Sequence, residues 1–164
     1  MSKSVIRQNI WETNSSSMHS LQINNTHVSN YSGLRIDNDG YIHSEFGEFG
    51  WGYDEYYDPR EKLSYALTMV AETEKYTSED EFYHTAGFNA IENLIVDKLG
   101  CLGLIVDDPD IYKTSWGVNH TGYIDHQSCE GYGSLQDFLN DYSITLEEFI
   151  FSDGVGLIID NDNH

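Results

Sequence analysis

DPREKLSYALTMVAETEKYTSEDEF, residues 58–82, contains two helix starts and decides the fold class. Asp58, Pro59 and Glu61 supply an N-cap, a proline at the first helical position and an acidic residue that closes a capping box. Leu63, Leu67 and Val70 follow at helical spacing and form one apolar stripe. Ser78-Glu79-Asp80-Glu81 repeats the box, and a second stripe runs through Phe82, Phe88, Ile91, Ile95 and Leu99 to a stop at Gly100, with a kink expected at Gly87. The stretch predicts a central pair of helices.

Outward from that pair the apolar period changes from helix to strand. Residues 5–11 and 18–23 read as strands joined by a long polar loop. Residues 34–36 and 41–43 flank Asn38-Asp39-Gly40, which supplies the positive φ that a tight hairpin needs. Residues 1–45 therefore predict an antiparallel meander. Downstream, residues 101–106 read as a buried strand, 112–116 and 122–126 as weaker ones, and 156–160 as a last strand. Ser134 and Thr145 open two short helices. The expected fold is α+β, an antiparallel sheet with an N-terminal meander packed against the central helices. At 164 residues, with no linker, residues 1–164 are expected to be a single domain.

Charge bounds the function. The formal net charge is −20, and of the 28 acidic residues only Glu12 precedes Asp37. Of the eight basic residues, Lys3, Arg7 and Arg35 lie in that leading segment, and none follows Lys113. Such a chain repels nucleic acid and anionic membranes and attracts basic protein surfaces. No direct nucleic-acid or membrane partner is expected. The leading residues carry no apolar run of a signal peptide and no stretch approaches a membrane span, so a cytoplasmic protein is expected. Two cysteines, Cys101 and Cys129, predict free thiols rather than a disulfide framework.

Two segments carry candidate chemistry. In WETNSSSMHSLQI, residues 11–23, strand alternation puts Ser17, His19, Leu21 and Ile23 on one face. This is either a serine-rich turn with a satisfied histidine, or a site. As a site, Asn14, Ser15 and Ser16 would hold a phosphate in a backbone nest, or Ser17 would act as nucleophile with His19 as base. The second segment, NHTGYIDHQSCE, residues 119–130, offers His120, Asp125, His126, Cys129 and Glu130 as metal-ligand types. No paired metal spacing occurs, and neither a metal nor another cofactor is expected. His126-Gln127-Ser128 and His27-Val28-Ser29 both match His-x-Ser, the pair a two-histidine phosphodiesterase would show, but polar flanks argue against it.

Trp11-Glu12-Thr13-Asn14-Ser15-Ser16-Ser17-Met18-His19-Ser20 resembles the N-terminus of a group of uncharacterised proteins of tailed bacteriophages and prophages. Residues 47–51, 62–65 and 122–128 resemble further patches of the same group. The resemblance implies a viral origin, and hence an infected bacterial cytoplasm. It also implies that the Ser/His segment and Asp125-His126-Gln127-Ser128 meet in space.

Two function classes follow. One is an acidic accessory protein that binds and inhibits a basic host or defence protein acting on nucleic acid, by imitating DNA phosphates. Its interface would be the aromatic loop at residues 44–58, where Glu45, Glu48, Asp54 and Glu55 steer and Phe49 and Trp51 anchor. The alternative is a small hydrolase, phosphodiesterase or phosphate-binding protein using Ser17 and His19 with Asp125, His126 and Ser128. Neither reading fixes an oligomeric state.

Overall fold

The computed structural model describes residues 17–24, 28–50, 52–124 and 133–161. The expected strand at 5–11, and Asn14, Ser15, Ser16, Trp51, Asp125, His126 and Ser128, lie outside the described residues. The class is α+β, with helices and antiparallel sheets.

At the centre is α1 (Pro59–Thr73), begun by Asp58, whose Oδ1 accepts the Arg60 N–H at 2.8 Å, and by Pro59 in the first turn. Its apolar face is far wider than the three-residue stripe suggests: Lys62, Leu63 and Tyr65 through Ala71 are all buried. A helix covered on nearly every side need not be amphipathic. Other elements enclose it.

The second expected helix is broken. Ser78 caps the short α2 (Glu79–Phe82), and Thr85 caps a new helix, α3 (Ala86–Leu99), which ends at Gly100 with φ +70°. The Glu81 carboxylate accepts the Thr77 N–H and hydroxyl, one residue before the cap. Gly87 does not kink a continuous helix. It sits in the first turn of α3, where an added Cβ would lie 2.8 Å from Val70 of α1 and 2.9 Å from the carboxylate of Glu74, which follows α1. The absent side chain lets the two helices approach.

The strands join distant parts of the chain. β1 (Ser17–Ile23) pairs antiparallel with β9 (Val155–Asn161), which pairs on its other side with β4 (Asp54–Tyr56). β2 (Tyr41–Ser44) runs parallel to β5 (Gly103–Val106), and β3 (Glu48–Phe49) is parallel to β8 (Tyr123–Ile124). β6 (Tyr112–Thr114) and β7 (Gly117–Asn119) make a hairpin whose tip carries Trp116, 96% exposed. Among the described residues, strands next to each other in the sheets come from distant parts of the chain, apart from the β6–β7 hairpin. The hairpin expected at Asn38-Asp39-Gly40 survives as a single Ile36–Ile42 bridge, with the Asp37 carboxylate accepting the Asp39 and Tyr41 N–H groups. Ile42 is buried and its strand is completed by β5, returning after α1 and α3. Gly122, at φ +71°, lets β8 approach β3, because a Cβ there would fall 2.6 Å from the Gly47 carbonyl oxygen.

Two short helices close the core. α4 (Leu135–Asp141) starts at Ser134, and α5 (Leu146–Phe151) starts at Thr145 with both halves of the capping box in place. The buried apolar residues form one cluster, with Tyr65 and Phe82 at aromatic junctions. Among the described residues no helix is long and apolar enough to cross a membrane.

Candidate functional site

Alternation along β1 leaves Met18 68% exposed and turns His19 inward to 6%. His19 Nδ1 lies 2.7 Å from the Tyr65 hydroxyl, and Tyr65 is fully buried on α1 among Phe49, Phe138 and Phe149. Burial pushes the His19 pKa down to about 4. The ring is neutral at pH 7 and a weak base, held in the core instead of lining a cleft. Ser17 opens β1 opposite Asn161. Among the described residues, His19 and Tyr65 form a buried polar contact that fixes β1 against α1.

The acidic loop divides by burial. Glu45, Glu48, Asp54 and Glu55 are exposed. Phe49 is not an anchor for a partner: it is 5% exposed, and its ring packs edge-on to Tyr56 and Tyr65. An aromatic that completes the core beside α1 cannot also be offered to solvent. β4, which carries Asp54 and Glu55, is the outer strand of its sheet, short and acidic as solvent-facing edges usually are. An open depression borders the loop, with Glu45, Glu48 and Glu61 around it. Arg60 also borders it, but its guanidinium is held by Asp58 at 2.8 Å. The arginine that borders the depression is therefore already paired.

Of the second segment, His120 is described, and it finds its partner on α1. Its Nδ1 donates to the Thr121 carbonyl at 2.7 Å, and its Nε2 lies 3.3 Å from Glu72 Oε2. A carbonyl only accepts, so Nδ1 carries a proton; the carboxylate facing Nε2 calls for a second one. Both ring nitrogens thus face acceptors, which favours the charged form. Burial opposes that charge, but the Glu72 carboxylate and the Thr121 carbonyl outweigh it and hold the His120 pKa above its ordinary value. Glu72 Oε1 also accepts the Ile124 N–H at 3.1 Å, tying α1 to β8. With Nε2 taken by Glu72, His120 is not available as a metal ligand. No group of three or more metal-ligating side chains occurs among the described residues. Glu72 was invisible to sequence reasoning, because it reads as one more solvated carboxylate on a helix.

A second histidine shows the same chemistry at the surface. His43 Nδ1 lies 2.8 Å from Asp107 and Nε2 2.7 Å from Asp37, so both nitrogens face carboxylates. Asp107 first and Asp37 second raise its pKa. Compared with known protein families, curated proteins and solved structures, the chain gives no match.

Proposed function

We propose that the protein is an acidic accessory factor that engages the basic, nucleic-acid-contacting surface of a host or defence protein and inhibits it as a polyanion decoy. The observation that carries this reading is the exposed set Glu45, Glu48, Asp54 and Glu55 around β3 and β4, whose neighbouring cation, Arg60, is spent on Asp58. Carboxylates left unneutralised in one neighbourhood concentrate the field that a charge of −20 produces overall. That field steers a basic partner and weakens with salt. The resemblance to phage proteins supports a bacterial target. With Phe49 in the core, electrostatics carries more of the interaction than aromatic anchoring does.

The test is capture from bacterial lysate at low salt on the immobilised full chain, beside a variant with Glu45→Lys, Glu48→Lys, Asp54→Lys and Glu55→Lys. The expected result is a basic nucleic-acid-binding protein retained by the native chain, released as salt rises and absent from the variant. The protein should also displace duplex DNA from that partner. Retention that ignores salt, or survives the four reversals, would overturn the proposal.

A further inference from the structure

An open cavity of about 410 Å³ lies between the end of α1 and the β6–β7 hairpin, with the His120–Glu72 pair on its wall. Lys75, just past α1, and Lys113, on β6, both border it. Both lysines are exposed, and among the described residues neither lies within ion-pair distance of a carboxylate. That is unexpected in a chain with 28 acidic and eight basic residues. Elsewhere Arg60 is held by Asp58, Lys98 by Glu147 and Asp97, and Lys62 by two buried carbonyls, while Arg35, outside the cavity, also lacks a carboxylate within ion-pair distance among the described residues.

Of the carboxylates on the cavity wall, Glu72 holds His120 and the Ile124 N–H, and the Glu74 carboxylate is close to Gly87 of α3. Glu81 feels Lys113, but its oxygen is occupied by the Thr77 hydroxyl and N–H. Two compact ammoniums from separate elements border a wall that carries the His120–Glu72 pair and Glu74. We propose that this cavity binds the phosphate monoester of a small metabolite, with Lys75 and Lys113 contacting its oxygens.

A dianion matches two point charges better than a monocarboxylate does, and lysine serves as a phosphate-binding point charge. The cavity falls within the size range of small-molecule sites. The global negative field keeps polynucleotides out, while a small ligand can be held by local donors. None of the residues bordering this cavity borders the acidic depression, so either proposal can fail alone.

The experiment is calorimetric titration of the full chain with glucose 6-phosphate, inorganic phosphate and acetate, together with NMR of the His120 ring. Saturable binding of glucose 6-phosphate near about 1 mM or tighter is expected, with Lys75→Gln and Lys113→Gln each weakening it by about tenfold. The His120 ring signal should move with the same saturation curve. Arg35→Gln, at an exposed cation outside the cavity, should change nothing. Equal affinity for inorganic phosphate would confirm the phosphate as the recognised group, and tighter sugar phosphate would add contacts beyond it. Absence of saturation, acetate binding as well as phosphate, or equal weakening by Arg35→Gln would each overturn the proposal. Both lysines are exposed, so their variants should keep the native circular dichroism.

Discussion

Lys62→Met should destabilise the protein more at high pH than at neutral pH. Lys62 lies on α1 with no exposed surface, and its Nζ donates to the Ser152 and Val155 carbonyls, both at 2.8 Å. These carbonyls lie at the end of α5 and the entry to β9, where the ammonium also meets the negative end of a helix. Burial disfavours the charge more than Asp153 and Asp58 favour it, and the pKa falls from 10.5 to about 8. Folding therefore desolvates an ammonium that the unfolded chain keeps solvated, a penalty of about 3 kcal/mol at neutral pH. The sign follows directly: between about pH 8 and 10.5 the unfolded chain binds more protons at this site, so stability rises with pH.

Neutral Lys62 still has two N–H groups for the two carbonyls. Methionine has none and leaves both bare, at about 1–3 kcal/mol each. At neutral pH that loss is partly offset because the desolvation penalty also disappears; the offset shrinks as pH rises and is gone above about pH 10.5. From about pH 7 to about pH 9.5 the cost of Lys62→Met should grow by about 2 kcal/mol. Urea unfolding of both proteins at several pH values measures this difference, in which other titrating groups cancel. A cost that stays flat or shrinks over the window would refute the reasoning, because it would mean that Lys62 stays charged in the fold.

Two further outcomes follow from the histidines. His19, with its pKa lowered from 6.5 to about 4 by burial, contributes stability that is present above about pH 6.5 and lost as pH falls toward 4. The loss should reach about 3 kcal/mol and be missing in His19→Gln, measured by urea unfolding at stepped acid pH. His43, whose pKa Asp107 and Asp37 raise, contributes stability that is present below 6.5 and fades as pH rises through its folded value. Its ring proton should titrate above 6.5 by NMR and move back toward that value in Asp107→Asn.

Local signals were legible wherever a side chain acts on its own neighbours. Asp58, Ser134 and Thr145 cap the helices that the sequence assigned to them, Ser78 caps only the short first part of its expected helix, and Gly100 ends α3 in the left-handed conformation. The inward face of β1 followed from alternation, with His19 and Leu21 buried. These interactions span a few residues, so composition and spacing suffice. Thr85 was the local exception. Its cap lies inside a continuous apolar stripe, which hides the break between α2 and α3.

What the sequence could not decide were pairings across long separations. Among the described residues β1 pairs with β9, from the other end of the chain, and enclosing α1 on nearly every side brings together strands from both halves. Burial of Phe49, capture of His120 by Glu72, and convergence of Lys75 with Lys113 depend on the same enclosure. Charge, class and caps are properties of residues and their near neighbours, and the sequence determined them. Which carboxylate meets which cation, and which aromatic is left for solvent, only the tertiary structure decided, because desolvation acts on whatever the fold brings together.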